Sequence, residues 1–243
     1  MQARLSGVRG RGGPLPPMRA LLDNIVWHTL AGPHARFAVG SGGARRYARG
    51  FSQIVDFKTP DAPDFDALGE HCSDDEHFYC DGWSGPAPHG WRIDAETTMF
   101  KMIWDAVDVP ADETGGDAVT LGPPHVDSAM ALAMLTRPGP FGPRTIELGD
   151  YYGIFDHGRL VAMAGERMHA GPLREISGVC THPSFQGRGY ARRLMTRLMH
   201  RQRLRGETPF LHVMRDNAGA RALYARMGFS DVREAVVRVI SRH

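Results

Sequence analysis

The sequence predicts a mixed α/β protein, because strand-like apolar runs alternate with segments that have the spacing of amphipathic helices. The clearest helix follows residue 190, where apolar residues lie at offsets 0, 3, 4, 7 and 8 from Ala191. Of the 243 residues, 42% are hydrophobic and 23% are charged, which provides for a sizeable core and a solvated surface. We therefore expect a soluble globular protein of one large domain or two lobes.

The N-terminal part is predicted to be a flexible tail followed by a smaller α/β lobe. Residues 1–17 are rich in Gly, Arg and Pro and have no apolar period, which favours a tail. Apolar residues between Leu21 and Leu30 then have helical spacing. Four strand-like runs follow: Arg36–Val39, Gln53–Phe57, Glu76–Cys80 and Thr98–Trp104. The polar segment Val109–Gly116 is the predicted boundary, so the domains are expected at 18–117 and 118–243.

The C-terminal part is predicted to begin with a strand, a helix and a hairpin. Val119–Leu121 has strand character, and Asp127 is the predicted N-cap of a helix over Asp127–Leu135. Tyr151–Phe155 and Leu160–Met168 are predicted hairpin strands, because the turn between them contains Asp, His and Gly.

A strand, a turn and the clear helix come next. Leu173–Thr181 is the predicted strand, and Phe210–Met214 is the strand after the helix. Asn217 is the predicted N-cap of a further helix that ends at Gly228. Val232–Ile240 is expected to close the chain as one or two strand segments with antiparallel partners.

Composition argues against several classes of protein. No stretch approaches the roughly 18 consecutive apolar residues of a membrane span, and no signal-peptide pattern is present. Three cysteines are too few for a disulfide framework in a chain of this length, so a cytoplasmic protein without a membrane partner is expected. The net charge is only +2, yet residues 59–117 contain 15 acidic side chains and residues 176–206 contain none.

A glycine-containing turn, Gln186-Gly187-Arg188-Gly189, joins the strand Leu173–Thr181 to the clear helix. Such a turn presents backbone N–H groups at the positive end of the helix dipole, where a phosphate group binds readily. The Lys-Ser/Thr pair of a Walker A loop and the third glycine of a dinucleotide fingerprint are missing. The turn thus predicts a phosphate site that belongs to neither of these two motifs.

The pattern Gln186-x-x-Gly189-x-Ala191 after a strand resembles motif A of the GNAT superfamily of acyl-CoA N-acyltransferases. A second pattern, from Asn217 through Tyr224 to Phe229, is similar to the next helix of that family. The resemblance covers about 119–240 and implies a three-layer sandwich with a central mixed sheet. It also implies an N-acetyltransferase that uses acetyl-CoA. The N-terminal lobe is expected to be a degenerate copy of the same fold.

The resemblance implies where the cofactor binds. The backbone amides of the turn and the first helical residues would hold the pyrophosphate of coenzyme A: Gly187, Arg188, Gly189, Tyr190, Ala191 and Arg192. Val179, Cys180 and Thr181 would run beside the pantetheine arm, where a bulge lets a backbone N–H polarise the thioester carbonyl. Gln186, Asn217 and Tyr224 complete the implied set of cofactor-binding residues.

Three residues are candidates for the proton transfers. Tyr224 lies where the family has the acid that protonates the sulfur of coenzyme A. Glu175 and His212 are alternative bases: Glu175 resembles the glutamate of histone-type members, and His212 lies where members that acetylate protein N-termini usually have Glu. Each residue also has a structural interpretation: Tyr224 as a core tyrosine, Glu175 as a solvated glutamate and His212 as a histidine that caps a strand.

Other groups of residues favour structural roles. The cluster from His71 to Cys80 contains zinc-ligand types but lacks finger spacing, so no metal is expected. Cys180 has no recognisable His and acidic partners in the sequence, which favours a buried thiol over a nucleophile. The arginines after Ala191 lie opposite an apolar stripe, so a solvated face is favoured over a nucleic-acid surface.

The sequence leaves the acceptor open. Direct acetyl transfer in a ternary complex to a primary amine, on a small molecule or a peptide N-terminus, is the predicted reaction. A catalytically silent coenzyme A sensor is the alternative function, since a fold does not guarantee an activity. The protein is expected to be a monomer or a homodimer.

Overall fold

The computed structural model describes residues 16–106, 108 and 117–243, whose eleven strands form one sheet. The strands are β1 (Ala38–Val39), β2 (Ala44–Tyr47), β3 (Ile54–Phe57), β4 (His77–Asp81), β5 (Trp91–Trp104), β6 (Ala118–Thr120), β7 (Tyr151–Asp156), β8 (Arg159–Ala170), β9 (Leu173–Thr181), β10 (Thr208–Met214) and β11 (Phe229–Arg242). The helices are α1 (Pro16–Asp23), α2 (Ile25–Leu30), α3 (Phe65–Gly69), α4 (Val126–Thr136), α5 (Tyr190–Leu204) and α6 (Ala218–Arg226). The mixed α/β class is confirmed.

The strand order is β1-β2-β3-β4-β11-β5-β10-β9-β8-β7-β6. Strands β3 and β4 are parallel to each other, as are β9 and β10, and the other neighbouring strands of the described sheet are antiparallel. The sheet is therefore mixed, as the resemblance to the GNAT superfamily implies.

Helices pack on both faces of this sheet because successive residues of a strand point to opposite sides. Ala162 of β8 packs in one buried cluster with Leu194 of α5, whereas Met163 packs in another with Leu132 of α4. Helix α2 lies on the same face as α4, with Ile25 in a cluster that includes Phe210. The result is the predicted three-layer arrangement of helices, sheet and helices.

Strand β5 connects the two halves of the chain. It lies between β10 and β11 and pairs with both of them in antiparallel register. The closing segment of the chain is one strand, β11, and its antiparallel partners β4 and β5 come from the N-terminal half. The segment 109–116, where the sequence suggests a lobe boundary, lies outside the described residues, and the division into 18–117 and 118–243 stays a prediction.

Several local predictions differ from the structure. Asp127 is not the N-cap of α4: the helix begins at Val126, and the His125 side chain accepts a hydrogen bond from the amide of Gly122 at 3.1 Å. The helix expected over Leu21–Leu30 is interrupted at Asn24, whose side-chain amide donates to the carbonyl of Phe57 at 3.1 Å.

Two further differences lie near the N-terminus. The strand expected over Arg36–Val39 is reduced to Ala38–Val39, because the three residues Ala35–Phe37 form a 3-10 turn. Of the expected tail, residues 1–15 lie outside the described residues, and Pro16 already belongs to α1. Among the described helices, none is both long and apolar enough to cross a membrane.

Candidate active site

Strands β9 and β10 separate at the centre of the sheet. Their parallel pairing covers Leu173–Glu175 with Thr208–Phe210, although both strands continue well beyond it. In the continuing part of β9, Gly178 has a φ of +62°, and two residues of β9 face one residue of β8 there. This β-bulge turns the backbone at the point where the strands separate. A bulge near Val179 is what the sequence comparison with motif A predicts.

Two cavities meet at this separation. The turn cavity, of about 710 Å³, lies beside the glycine turn, and the sheet cavity, of about 290 Å³, lies over the exposed ends of β9 and β10. Val179 and Tyr224 line both cavities. A molecule bound in the turn cavity can therefore present one end to a molecule bound in the sheet cavity.

The turn cavity contains almost the whole predicted cofactor set. Its lining includes Val179, Cys180, Thr181, Gln186, Gly187, Arg188, Gly189, Tyr190, Ala191, Arg192 and Tyr224. Asn217 lines the sheet cavity instead, where it caps α6 by accepting a hydrogen bond from the amide of Ala220 at 3.1 Å. The predicted N-cap is thus confirmed, whereas a contact of Asn217 with the cofactor stays a prediction.

The backbone of the glycine turn suits an anion. Gly187 and Gly189 both have a φ of +76°, a left-handed conformation that glycine adopts without steric cost. A Cβ atom on either residue would meet no heavy atom within 4 Å, so the space in front of the turn is open. The first-turn amides of the 15-residue helix α5 have no carbonyl partner within the helix. These residues fit the phosphates of coenzyme A.

Glu175 is buried, and its carboxylate is held by four donors. The guanidinium of Arg167 donates to both oxygens at 2.9 and 3.1 Å, and the amide of Met168 donates at 3.1 Å. Nδ1 of His212 lies 2.8 Å from Oε1. Burial alone would raise the pKa of Glu175, but Arg167 and His212 outweigh it and lower the pKa to about 2. The group is an anion at neutral pH.

His212 lines the sheet cavity with a fixed ring orientation. Because an ionised carboxylate only accepts hydrogen bonds, Nδ1 is the donor to Glu175. Nε2 is buried and has no hydrogen-bond partner among the described residues. In the neutral imidazole this nitrogen carries a lone pair, so it can accept a proton or a hydrogen bond.

Tyr224 lies where the two cavities meet. Its side chain is buried on α6, and its ring packs edge-on against Phe229 at a centroid distance of 6.3 Å. Burial, with a smaller effect of Cys180, raises the pKa of Tyr224 to about 12. The hydroxyl is therefore protonated at neutral pH and can donate.

Cys180 and the residues from His71 to Cys80 have the environments of structural side chains. Burial raises the pKa of the Cys180 thiol to about 11, so the reactive thiolate is scarce at neutral pH. His71 contacts the hydroxyl of Ser41 at 3.2 Å, and His77 contacts Asp94 at 2.9 Å. In the described part of the chain, no three His, Cys, Asp or Glu side chains converge as metal ligands would.

Sequence reasoning missed three charged residues of the sheet cavity, Asp81, Arg137 and Arg167. Arg167 directly follows Glu166 in a strand whose residues 160–166 are all buried, and this pair of charges in an apolar run was the available signal. Asp81 is the last residue of β4, and the acidic surroundings in the sequence gave no sign that its side chain is buried.

Comparisons with known proteins agree with this architecture. The family model FR47-like protein matches residues 151–239. A solved protein of the GNAT family from Novosphingobium aromaticivorans is 34% identical, with a TM-score of 0.82 over 91% of this chain and 98% of that chain. A GCN5-related N-acetyltransferase from Kribbella flavida, 16% identical, has the same fold with a TM-score of 0.59 over 92% of this chain and 95% of that chain.

A curated relative matches a shorter part of the chain. The N-alpha-acetyltransferase RimI of Mycobacterium tuberculosis is 38% identical over 85 residues. That match covers 34% of this chain and 52% of the relative, or about half its length.

The fold is shared with solved GNAT acetyltransferases. The chain belongs to the GNAT family of N-acetyltransferases. Acetyl transfer is the reaction of this family, and its members use acetyl-CoA.

Proposed function

We propose that the protein transfers an acetyl group from acetyl-CoA to a primary amine by direct attack within a ternary complex. The observation that supports this most strongly is the meeting of the two cavities at Val179 and Tyr224. Bound acetyl-CoA supplies the activated acetyl group. The residues of this chain bind the two substrates, orient them and move the protons.

The turn cavity would hold coenzyme A. The amides from Gly187 to Arg192 would donate to the phosphates, and the positive end of α5 would stabilise their negative charge. The pantetheine arm would follow Val179, Cys180 and Thr181 of β9. A backbone N–H near the bulge would polarise the carbonyl that is attacked, as an oxyanion hole does.

His212 would be the general base. Its Nε2 atom is the unpartnered nitrogen in the sheet cavity, where the acceptor amine would lie. Glu175 is better suited to positioning His212, because its carboxylate already accepts four hydrogen bonds and has a pKa of about 2. Of the two alternatives that the sequence leaves open, the geometry favours His212.

Tyr224 would be the general acid. Its hydroxyl is protonated at neutral pH, and its position between the cavities lies next to the expected end of the pantetheine arm. It would return a proton to the departing sulfur while His212 takes one from the amine.

The direct test is a transfer assay. Purified protein is incubated with acetyl-CoA and a panel of primary amines that includes small amines and short peptides with free N-termini. We expect release of coenzyme A together with an amine that is heavier by one acetyl group, as measured by mass spectrometry. Binding of acetyl-CoA without transfer to any amine would contradict the proposal and favour the silent sensor.

A further inference from the structure

A row of polar side chains crosses the face of the sheet under α2. Six strands contribute one residue each, and all six side chains are largely buried: Asp56, Asp81, Lys101, His212, Glu175 and Arg167. His212 and Lys101 are direct cross-strand neighbours, so their side chains leave the sheet on the same face. The row therefore extends from the proposed base to the strands of the N-terminal half.

Most members of the row have complete sets of partners. Nζ of Lys101 donates to the carbonyls of Leu22 and Asp23 at 3.0 and 3.2 Å and lies 2.5 Å from Oδ2 of Asp81. The two oxygens of Asp56 accept hydrogen bonds from the amides of Phe57 and Trp27 at 2.8 and 3.1 Å. Burial and the neighbouring Asp81 raise the pKa of Asp56 well above its ordinary value.

Asp81, like His212, has buried polar atoms without a hydrogen-bond partner among the described residues. Its side chain is 5% exposed and lines the sheet cavity, as does that of His212. Its two oxygens are buried and neither accepts a hydrogen bond from the described residues, so Oδ2 has only the ion pair with Lys101 and Oδ1 has no partner. Leaving a buried carboxylate oxygen without a donor is unfavourable, so a donor that enters the cavity gains the energy of a charge-assisted hydrogen bond.

The sheet cavity is small, and it has Asp81 toward one end and His212 toward the other. Its volume of about 290 Å³ is near the lower limit of small-molecule sites, which span roughly 300–1,000 Å³. Its lining includes Val26, Ile54 and Tyr79 of the N-terminal half as well as His212 and Tyr224. Strand β4, which carries Asp81, is separated from β10, which carries His212, by β11 and β5, so these two side chains lie at different ends. A molecule in this space would place one polar group at each end, with apolar atoms between them.

We propose that Asp81 binds a second polar group of the acceptor, which is a small primary amine carrying a hydrogen-bond donor, an ammonium or a hydroxyl group, at its far end. This inference rests on the proposed function and names the acceptor class for the same site. It assigns the N-terminal half a part in choosing the acceptor. An acceptor whose far end donates a hydrogen bond to the Asp81 carboxylate would bind more tightly, whereas an alkyl end would leave Oδ1 without a partner.

The test compares three series of linear amines, from propyl to octyl: alkyl amines, amino alcohols and diamines. With the full-length wild-type protein, we expect kcat/KM to be at least about tenfold higher for a diamine or amino alcohol than for the alkyl amine of the same length. The comparison of the two donor series identifies the preferred group. Equal values for all three series would overturn the inference.

Asp81→Asn tests the residue itself. An asparagine oxygen can still face Nζ of Lys101, while its amide presents a donor to the cavity. The preference for diamines over alkyl amines should therefore disappear, because an ammonium group only donates hydrogen bonds. Asp56→Asn is the control, because it alters a neighbouring buried carboxyl outside the cavity lining and should keep the preference. A preference that survives in folded Asp81→Asn would contradict the inference. If this variant does not fold, the three wild-type series decide.

The Asp81 subsite can be tested even if the proposed acetyl transfer is not observed. If no amine is acetylated, calorimetric titration of the same amines into the wild-type protein still tests the inference. At least about tenfold tighter binding of a donor-bearing amine than of its alkyl counterpart supports an Asp81 subsite, and equal binding overturns it.

Discussion

His212 and Glu175 lie on different strands, yet Nδ1 of the histidine is 2.8 Å from Oε1 of the glutamate. The contact forms where the pairing of β9 and β10 ends, at Glu175, which is in register with Phe210, two residues before His212. Arg167 and the amide of Met168 hold the same carboxylate. The imidazole is thus oriented by a group that is itself fixed.

His212→Gln should lower kcat by about a hundredfold or more, because positioned general bases typically contribute that much. The glutamine amide can still donate to Glu175 but cannot act as a base, so the fold should be retained. Steady-state kinetics with a primary amine measures the effect, and calorimetry should show unchanged affinity for acetyl-CoA. A variant with wild-type turnover would remove His212 from the mechanism.

The stability of the wild-type protein should fall as the pH is lowered from about 4.5 to about 2. The folded state lowers the pKa of Glu175 from 4.5 to about 2, so its stabilisation is present above the unfolded pKa and is lost as the carboxylate becomes protonated. The loss is on the order of 3 kcal/mol. Urea unfolding at a series of pH values measures the free energy.

Glu175→Gln should lack this acidic decrease and be less stable than wild type at neutral pH, since Arg167 would lose its charged partner. Glu147→Gln is the control, because that carboxylate forms a solvent-exposed pair with Arg144, and such pairs contribute about 0–1 kcal/mol. The same pH dependence in wild type and Glu175→Gln would show that other groups cause it.

Tyr224→Phe should lower kcat by about a hundredfold with little change in the affinity for acetyl-CoA, because only the proton donor is removed. Tyr152→Phe is the matched control, since it removes the hydroxyl of another buried tyrosine that lines neither cavity. Unchanged turnover in Tyr224→Phe would refute the acid role, whatever the result for Tyr152→Phe.

Gly189→Asp should abolish detectable binding of acetyl-CoA in a calorimetric titration. The substitution places a carboxylate where the phosphates are expected, and like charges repel. Gly206→Asp is a close control: Gly206 has a φ of +73°, similar open space and no place in the turn cavity. It imposes a comparable backbone cost, so equal loss of binding in both variants would indicate strain rather than charge.

Local patterns predicted much of the fold. Helix α5 follows from its apolar period, and the Asn217 cap follows from the preference of Asn for that position. Strand β2 was missed because Arg46 interrupts the apolar pattern. Its guanidinium is buried and pairs with Glu76 at 2.7 Å, a partner 30 residues away that no local window contains.

In the candidate site, too, local sequence patterns predicted some features and missed those that depend on long-range contacts. The glycine turn is contiguous in sequence, and its residues were identified together. The Glu175–His212 contact and the sheet cavity depend on which strands become neighbours, and hydrophobic period does not specify that order. Asp81 and Arg167 enter the cavity from β4 and β8, on opposite sides of β10.

The position of β5 also sets a condition on how the chain folds. Residues 91–104 emerge during synthesis before either flanking strand, because β10 begins at Thr208 and β11 at Phe229. Each pairing of β5 closes a loop of about a hundred residues or more. Closing such a loop costs conformational entropy before any pairing energy is gained, and this slows folding. Until β10 and β11 arrive, β5 has two open edges that can pair with another chain, so nascent protein should depend on chaperones more than the finished fold suggests.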